Sequence, residues 1–326
     1  MITQQDPRPT IELTDVDPET LEGEVLIAVD FAGVNYKDAM VTGPRNRVAR
    51  RSPLIGGVDL AGRVVEDRSG RFAVGLAVLA HGHAIGVGHD GGFAELAKVP
   101  ADWVVPLPEK LDAKAAMVLG TAGFTAMASL ARLEHAGIRP GDGPLLVTGA
   151  SGGVGSTAVG ILAIAGFEVV ASTGRAAETT FLTRLGASQV IGRDEIDDRP
   201  ERRLGTERWA GAVDCVGGAT LSAILRSLRY GGAVAASGLT GGAELHSSVY
   251  PFIVRNISLL GVDAVEMPAE ARLELWDRLA GLANSELVDV ILDEVVGLDG
   301  VPSALEKIAA GEVRGRIIVD PSRRSG

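Results

Sequence analysis

Residues 145–155 read Leu-Leu-Val-Thr-Gly-Ala-Ser-Gly-Gly-Val-Gly. A short apolar run, Leu145 to Val147, breaks at Thr148-Gly149 into a turn of small residues. Gly152, Gly153 and Gly155 then lead into an apolar stretch from Ser156 to Ile164. Strand, glycine-rich turn and helix form the context in which glycine spacing carries chemistry. The glycines keep the turn tight, let the backbone approach a pyrophosphate and let the helix pack on the strand. The first N–H groups of the helix and the positive end of its dipole then face the phosphates. Glycines alone suit a strand-to-helix turn without a ligand equally well. The next segment shifts the balance. Glu168 to Ser172 reads as a second strand, and in dinucleotide-binding folds its end, about 20 residues past the turn, meets the adenosine ribose. An acid there accepts from the 2′-hydroxyl of NAD. This chain has Ser172-Thr173-Gly174-Arg175 and no carboxylate until Glu178. Two hydroxyls, a glycine and a guanidinium suit a dianionic 2′-phosphate, so NADPH is expected. A solvated arginine at a helix start is the alternative for Arg175.

Other residues could do chemistry near the N-terminus. In Asn35-Tyr36-Lys37-Asp38, Tyr36 can touch a nicotinamide or supply a proton, or it can cap a backbone group. Asn35 is a candidate for an orienting hydrogen bond. Lys37 and Asp38 suit pairing or helix capping more than catalysis. Asp59 reads as a turn-stabilising residue. Arg45, Arg47, Arg50 and Arg51 form a basic run in an acidic chain. They could bind an anionic tail such as the phosphates of coenzyme A, or be a solvated loop. Cys215 reads as a small core residue.

These residues need a framework. Glycines and prolines punctuate residues 1–106 at short intervals, around strands such as Glu24 to Asp30 and Gly75 to Leu79, as in a mostly β domain. Beyond Pro106 the pattern changes. Leu111 to Val118 and Gly123 to Ala136 read as helices. Strands at 145–148, 168–172, 189–191, 211–215 and 232–237 then alternate with helices at 153–165, 176–185 and 219–228, which predicts a doubly wound α/β domain. After residue 257 come an apolar stretch, 259–262, a helix at 269–283 and strands at 288–295 and 316–319, enough chain to rejoin the N-terminal β domain.

The length of 326 residues favours about two domains. With 46% hydrophobic and 22% charged residues, the composition is globular. The net charge of −11 argues against nucleic acid or an anionic membrane as partner. No continuous apolar run reaches the ~18 residues of a spanning helix, and the first ten residues lack signal-peptide regions. A single cysteine excludes an internal disulfide and a multi-cysteine zinc site. A cytoplasmic protein is expected.

Several motifs in one order carry a resemblance: NYKD at 35–38, PLIGGVDLAG at 53–62, TGASGGVG at 148–155, STGR at 172–175, WAGAVDCVG at 209–217 and PFIVRN at 251–256. The chain resembles, over nearly its whole length, the zinc-independent quinone-oxidoreductase side of the medium-chain dehydrogenase/reductase superfamily, and most of all its YhdH/YhfP type, the acryloyl-CoA reductase family. The resemblance implies an α/β protein with a GroES-like β domain over 1–120 and 258–326 and a Rossmann domain over 121–257, with the active site in the cleft. It implies NADPH-dependent reduction of an activated C=C bond of a small acyl-CoA, or of a quinone, commonly in a homodimer. A non-catalytic NADPH-binding protein is the remaining alternative. Carried over by position, Ser151, Gly152, Gly153 and Val154 would hold the pyrophosphate, and Thr173, Gly174 and Arg175 the 2′-phosphate. Arg193 would add a second basic residue at the adenosine end, Tyr36 would lie near the nicotinamide, and Leu239 would close over the cofactor. Arg316 resembles the last cofactor-side turn. No metal is expected: a catalytic zinc of the alcohol-dehydrogenase kind needs a cysteine near residue 35 and a Gly-His-Glu near 57–59, where this chain has Asn35 and Gly57-Val58-Asp59. His81, His83 and His89 read as solvated or substrate-facing loop residues. They lie in a stretch, 80–91, that departs from the tryptophan-containing loop of relatives.

Overall fold

The chain enters through a two-residue ladder, β1 (Ile2–Thr3) against β2 (Thr10–Ile11), anchored where buried Ile2 bridges to Leu54. The structure, a computed structural model, describes residues 1–5, 8–43, 48–196 and 201–323. In β3 (Val25–Val34), Val25, Ile27 and Val29 are buried while Asp30 is exposed, the two-residue period of a strand with one face on a core. The short helix α1 (Tyr36–Val41) follows directly. Then come β4 (Asp59–Asp67), β5 (Ala77–His81), β6 (Leu96–Val99) and β7 (Val104–Pro106). All pair antiparallel, which leaves turns and loops at the strand ends.

Helix α2 (Ala113–His135) carries the chain out of this β unit. Sequence periodicity predicts two helices here. The structure bears this out: α2 is two helical stretches joined at a break at Gly120, whose φ of +51° only glycine adopts easily. It is long and apolar enough to span a membrane by composition, but 83% of its apolar window is buried within the protein.

Six parallel strands build the second unit: β8 (Leu145–Val147), β9 (Val169–Ser172), β10 (Gln189–Ile191), β11 (Trp209–Asp214), β12 (Leu228–Ala236) and β13 (Ser258–Gly261). Their order, β10-β9-β8-β11-β12-β13, is the 3-2-1-4-5-6 order of dinucleotide-binding folds. Helices α3 (Gly153–Ile164), α4 (Thr179–Arg184), α5 (Gly218–Ser227) and α6 (Tyr250–Arg255) connect them. Strands buried on both faces need continuous apolar runs, and every residue of β8, β9 and β11 is buried. Leu146, Val170, Val234, Ile224 and Trp209 share one cluster under the sheet.

The chain then returns. Helix α7 (Ala269–Leu282) lies largely in the first unit, and α8 (Ser285–Ile291) belongs to the second. There Gly160 of α3 leaves the space that the Leu287 side chain fills. β14 (Leu292–Val296), α9 (Val301–Ala309) and β15 (Arg316–Val319) complete the first unit, whose main sheet runs β14-β15-β3-β4-β5-β7, with β6 also on β3.

The units divide as 1–121, 264–281 and 292–326 against 122–263 and 282–291. The boundaries read from sequence, 1–120 with 258–326 against 121–257, need two corrections. Residues 258–261 are the sixth strand of the parallel sheet, because Ser258 to Gly261 pair with Ala233 to Ala236. Residues 285–291 are a helix packed on α3, where a strand is expected from residue 288 onward. Both segments are short and apolar, so periodicity could not tell sheet edge from returning domain.

Candidate functional site

The glycine turn is built by close contacts. Gly149 sits at φ +58°, and a Cβ on Gly155 would collide with the Gly149 carbonyl and come within 2.7 Å of the Ala150 Cα. Gly152 is the N-cap of α3 and supplies no capping side chain. Ser156 N donates to the Gly152 carbonyl, the first bond of the helix, so the N–H groups of Gly153, Val154 and Gly155 lie ahead of the intrahelical ladder. A helix start of this kind attracts anionic oxygen.

Next to it, at the end of β9, Thr173 and Arg175 meet Ser151. The hydroxyls of Ser151 and Thr173 are 3.1 Å apart. Arg175 Nε donates to Ser151 Oγ and its Nη2 to the Ser151 carbonyl, both at 3.3 Å, while Arg175 N donates to Thr173 Oγ1 at 3.1 Å. Arg193 reaches over from beyond β10, where a Cβ on Gly174 would lie 2.5 Å from its Nε and 2.6 Å from its Cζ. Five expected residues, Ser151, Thr173, Gly174, Arg175 and Arg193, thus converge, with two guanidinium groups and two hydroxyls around a glycine that leaves them room. The arrangement fits a phosphate ester at the ribose end of a dinucleotide. The Ser151 side chain turns to this end, while its backbone stays in the glycine turn where the pyrophosphate is expected.

At the end of β11, buried Asp214 accepts from Thr148 Oγ1 at 2.6 Å and from Gly217 N at 2.8 Å, tying the glycine turn to the β11–α5 loop. Burial, more than its partners can offset, raises its pKa. Burial also pushes the neighbouring Cys215 thiol up to about 12, which rules out a thiolate nucleophile at neutral pH. Leu239, 55% exposed, lies in the loop after β12, next to Gly238, where a Cβ would collide with the Cys215 carbonyl.

A second cluster lies inside the β unit. Asn35, Asp38, Asp59 and Arg316 are all buried. Asp59 Oδ1 accepts from Gly33 N at 2.8 Å, and its Oδ2 from Asn35 Nδ2 at 3.0 Å and Thr121 N at 2.8 Å. Arg316 donates to the carbonyls of Val118 and Val34 and to Asn35 Oδ1. A Cβ on Gly33 would lie 2.6 Å from Asp59 Oδ1 and 2.7 Å from Arg316 Nη2, so only glycine lets the acid and the base approach this strand. Asp38 Oδ2 accepts from Asn35 N and its Oδ1 from Val58 N, the capping role expected. Its carboxyl is raised to about 7, first by burial and then by Asp59. Two expectations change. Asp59 is a buried strand residue with three hydrogen-bond donors, not a turn residue. Arg316, expected at the cofactor, directs its bonds into the β unit, where it holds Asn35. Tyr36, the first residue of α1, stays 46% exposed beside this fixed frame. Sequence reading had each of these residues but not their convergence, because they come from three separate segments, 35–38, 59 and 316.

The three histidines do not converge on one ligand site, although His83 and His89 pack on the same Trp103 ring. His81 is fully buried, accepting from Trp276 Nε1 at 2.9 Å and from Arg272 at 3.0 Å, and burial holds its pKa well below the usual range. It is therefore a core residue, contrary to expectation. His83 stacks on Trp103 with centroids 5.1 Å apart, and burial lowers its pKa. His89 is buried with its two ring nitrogens 2.8 and 3.1 Å from the Asp90 and Glu22 carbonyls. Among the described residues no group of three or more His, Cys, Asp or Glu could hold a metal. In the basic run, Arg51 pairs with Glu22 at 3.5 Å and Asp90 at 3.6 Å, which offsets its charge. Arg45 and Arg47 lie outside the described residues.

Comparison with known proteins places this geometry. Residues 21–109 match the alcohol dehydrogenase GroES-like domain and residues 153–281 the zinc-binding dehydrogenase family. The chain is 46% identical to acrylyl-CoA reductase AcuI of Ruegeria pomeroyi, over 91% of this chain and 90% of that one. It superimposes on the crystal structure of E. coli K-12 YhdH with bound NADPH at a TM-score of 0.94, with 43% identity and 98% of each chain covered. Bacillus subtilis YhfP with NAD bound gives a TM-score of 0.95 at 44% identity, over 98% of this chain and 97% of that one.

Proposed function

The chain belongs to the YhdH/YhfP-type, acrylyl-CoA reductase family of the medium-chain dehydrogenase/reductases, and we propose that it is an NADPH-dependent reductase of a small α,β-unsaturated acyl-CoA thioester, acrylyl-CoA or a close relative. The observation that carries the reading is the ribose end of the parallel sheet, where Arg175, Arg193, Ser151 and Thr173 surround Gly174 in place of an acid. When bound, NADPH supplies the hydride for the β-carbon of the conjugated system.

The chain's own residues do the rest. The N–H groups at the start of α3, Gly153 to Gly155, hold the pyrophosphate with Gly152 at the cap. Thr173, Gly174, Arg175 and Arg193 hold the 2′-phosphate. Leu239 shields the cofactor from water. Tyr36 contacts the nicotinamide or delivers the proton that the α-carbon needs, and Asn35, fixed by Asp59 and Arg316, sets where Tyr36 stands.

The protein works as a cytoplasmic homodimer in this reading. Supporting the dimer, β13 is the last strand of its sheet with Leu259 exposed, and α6 presents Ile253 (75% exposed) and Val254 to solvent.

The test follows reduced-nicotinamide absorbance with NADPH and NADH against acrylyl-CoA, crotonyl-CoA and a naphthoquinone. Turnover of NADPH with acrylyl-CoA is expected. Turnover with the quinone alone moves the assignment to quinone reduction, and tight NADPH binding without any turnover makes it a binding protein.

A further inference from the structure

Resting on the NADPH reading above, we infer that Ser151 is a positioning residue for cofactor selection, setting the guanidinium of Arg175 for a 2′-phosphate through its hydroxyl and its carbonyl. The argument starts from where Ser151 sits. By sequence it belongs to the glycine turn, whose backbone faces a pyrophosphate. Its side chain leaves that turn. Ser151 is buried, and its Oγ lies 3.1 Å from Thr173 Oγ1, a residue of the neighbouring strand's end.

Arg175 then closes on the same residue twice, Nε to the hydroxyl and Nη2 to the carbonyl, each at 3.3 Å. A guanidinium has a planar fork of donors, and two bonds to one residue fix the plane of that fork. Thr173 Oγ1 accepts from Arg175 N, so the hydroxyl pair also holds the backbone from which the arginine springs. The remaining component, Arg193, approaches over Gly174. An arginine on the surface loses rotamer freedom when it grips an anion, and that loss opposes binding. Ser151 meets much of that cost before the cofactor arrives, so the benefit goes to the ligand that uses the guanidinium, the 2′-phosphorylated one. Ligands without that phosphate gain little. Ser151 thus acts through Arg175, on which nucleotide binds and not on how fast hydride moves.

The experiment compares 2′,5′-ADP with 5′-AMP, which differ only in the 2′-phosphate, by calorimetric titration of the purified full chain. It adds the KM and kcat of Ser151→Ala with NADPH and NADH. Weakening of 2′,5′-ADP by about five- to tenfold is expected, the size of one ordinary hydrogen bond's net contribution, because Ser151 acts on the ligand only through Arg175, with 5′-AMP changed less than twofold. KM for NADPH should rise by the same factor while kcat and KM for NADH hold. Ser151→Cys, nearly isosteric and a weak hydrogen-bonding partner, gives the same selective loss if the alanine variant does not fold. Equal weakening of both ligands, or of neither, overturns the inference: Ser151 then serves the glycine turn alone. If the wild-type protein itself binds the two ligands alike, the NADPH reading fails, and this failure is visible without any variant.

Discussion

Replacing Asp59 with asparagine keeps the shape of the buried cluster and removes one charge. The carboxylate accepts from Gly33 N through Oδ1 and from Asn35 Nδ2 and Thr121 N through Oδ2. An amide offers one acceptor oxygen. With that oxygen in the Oδ2 place, the Gly33 N–H faces an NH2 group; reversed, two donors lose their acceptor. The milder case forfeits one hydrogen bond to a charged group, about 1.5–3 kcal/mol, and leaves a buried donor unsatisfied, about 1–3 kcal/mol more. A loss of about 3–5 kcal/mol is expected.

A second readout comes from pH. Asp38 keeps its proton up to about 7 in the folded protein, against an ordinary 3.8, with burial the first cause and Asp59 the second. Between those values the folded state binds more protons than the unfolded chain. The stability this contributes is complete below the lower value and is lost as pH rises through the upper one, at no more than about 1.4 kcal/mol per pH unit. Without the Asp59 charge, the nearby Arg316 favours the ionised Asp38, so the decline between pH 4.5 and 7 must become shallower in Asp59→Asn. Urea unfolding of both proteins, followed by tryptophan fluorescence from pH 4.5 to 7.5, measures both effects. A variant within about 1 kcal/mol of wild type at pH 6, or an unchanged slope, would refute the reasoning.

Other outcomes follow from the same geometry. Gly174→Ala places a Cβ against Arg193 and should weaken NADPH binding about tenfold with little effect on NADH, read by fluorescence titration. Gly155→Ala collides with the Gly149 carbonyl and should abolish binding of both cofactors while lowering the melting temperature. His81→Leu removes the acceptor of Trp276 Nε1 and of Arg272 in a fully buried site, so chemical denaturation should show a loss of about 3 kcal/mol or more. Ile253→Asp sets a charge on the exposed apolar face of α6, and light scattering should then find a monomer if the proposed dimer uses that face.

What the sequence determined by itself is local. The strand-turn-helix at 145–164 was readable because buried parallel strands are continuous apolar runs and a phosphate-facing turn needs glycine where a Cβ collides. The absence of an acid at Ser172 to Arg175 spoke for the cofactor for the same local reason, since one strand end meets one part of the ribose. Arg193 came only from the family resemblance; its approach over Gly174 depends on β10 pairing beside β9.

Tertiary structure decided the rest. Nothing in the spacing of Gly33, Asn35, Asp59, Gly120 and Arg316 announces a shared cluster; antiparallel pairing of β3 with β4 and β15, and the break at Gly120, bring them together. His81 looked like a loop histidine in a glycine-rich segment, and only the return of α7 with Arg272 and Trp276 makes it a core acceptor. Short apolar segments such as 258–261 were ambiguous because their partners lie far along the chain. Local patterns record what a residue's neighbours in sequence demand. Burial, charge pairing and the direction in which Ser151 turns are set by neighbours in space, which the chain acquires only by folding.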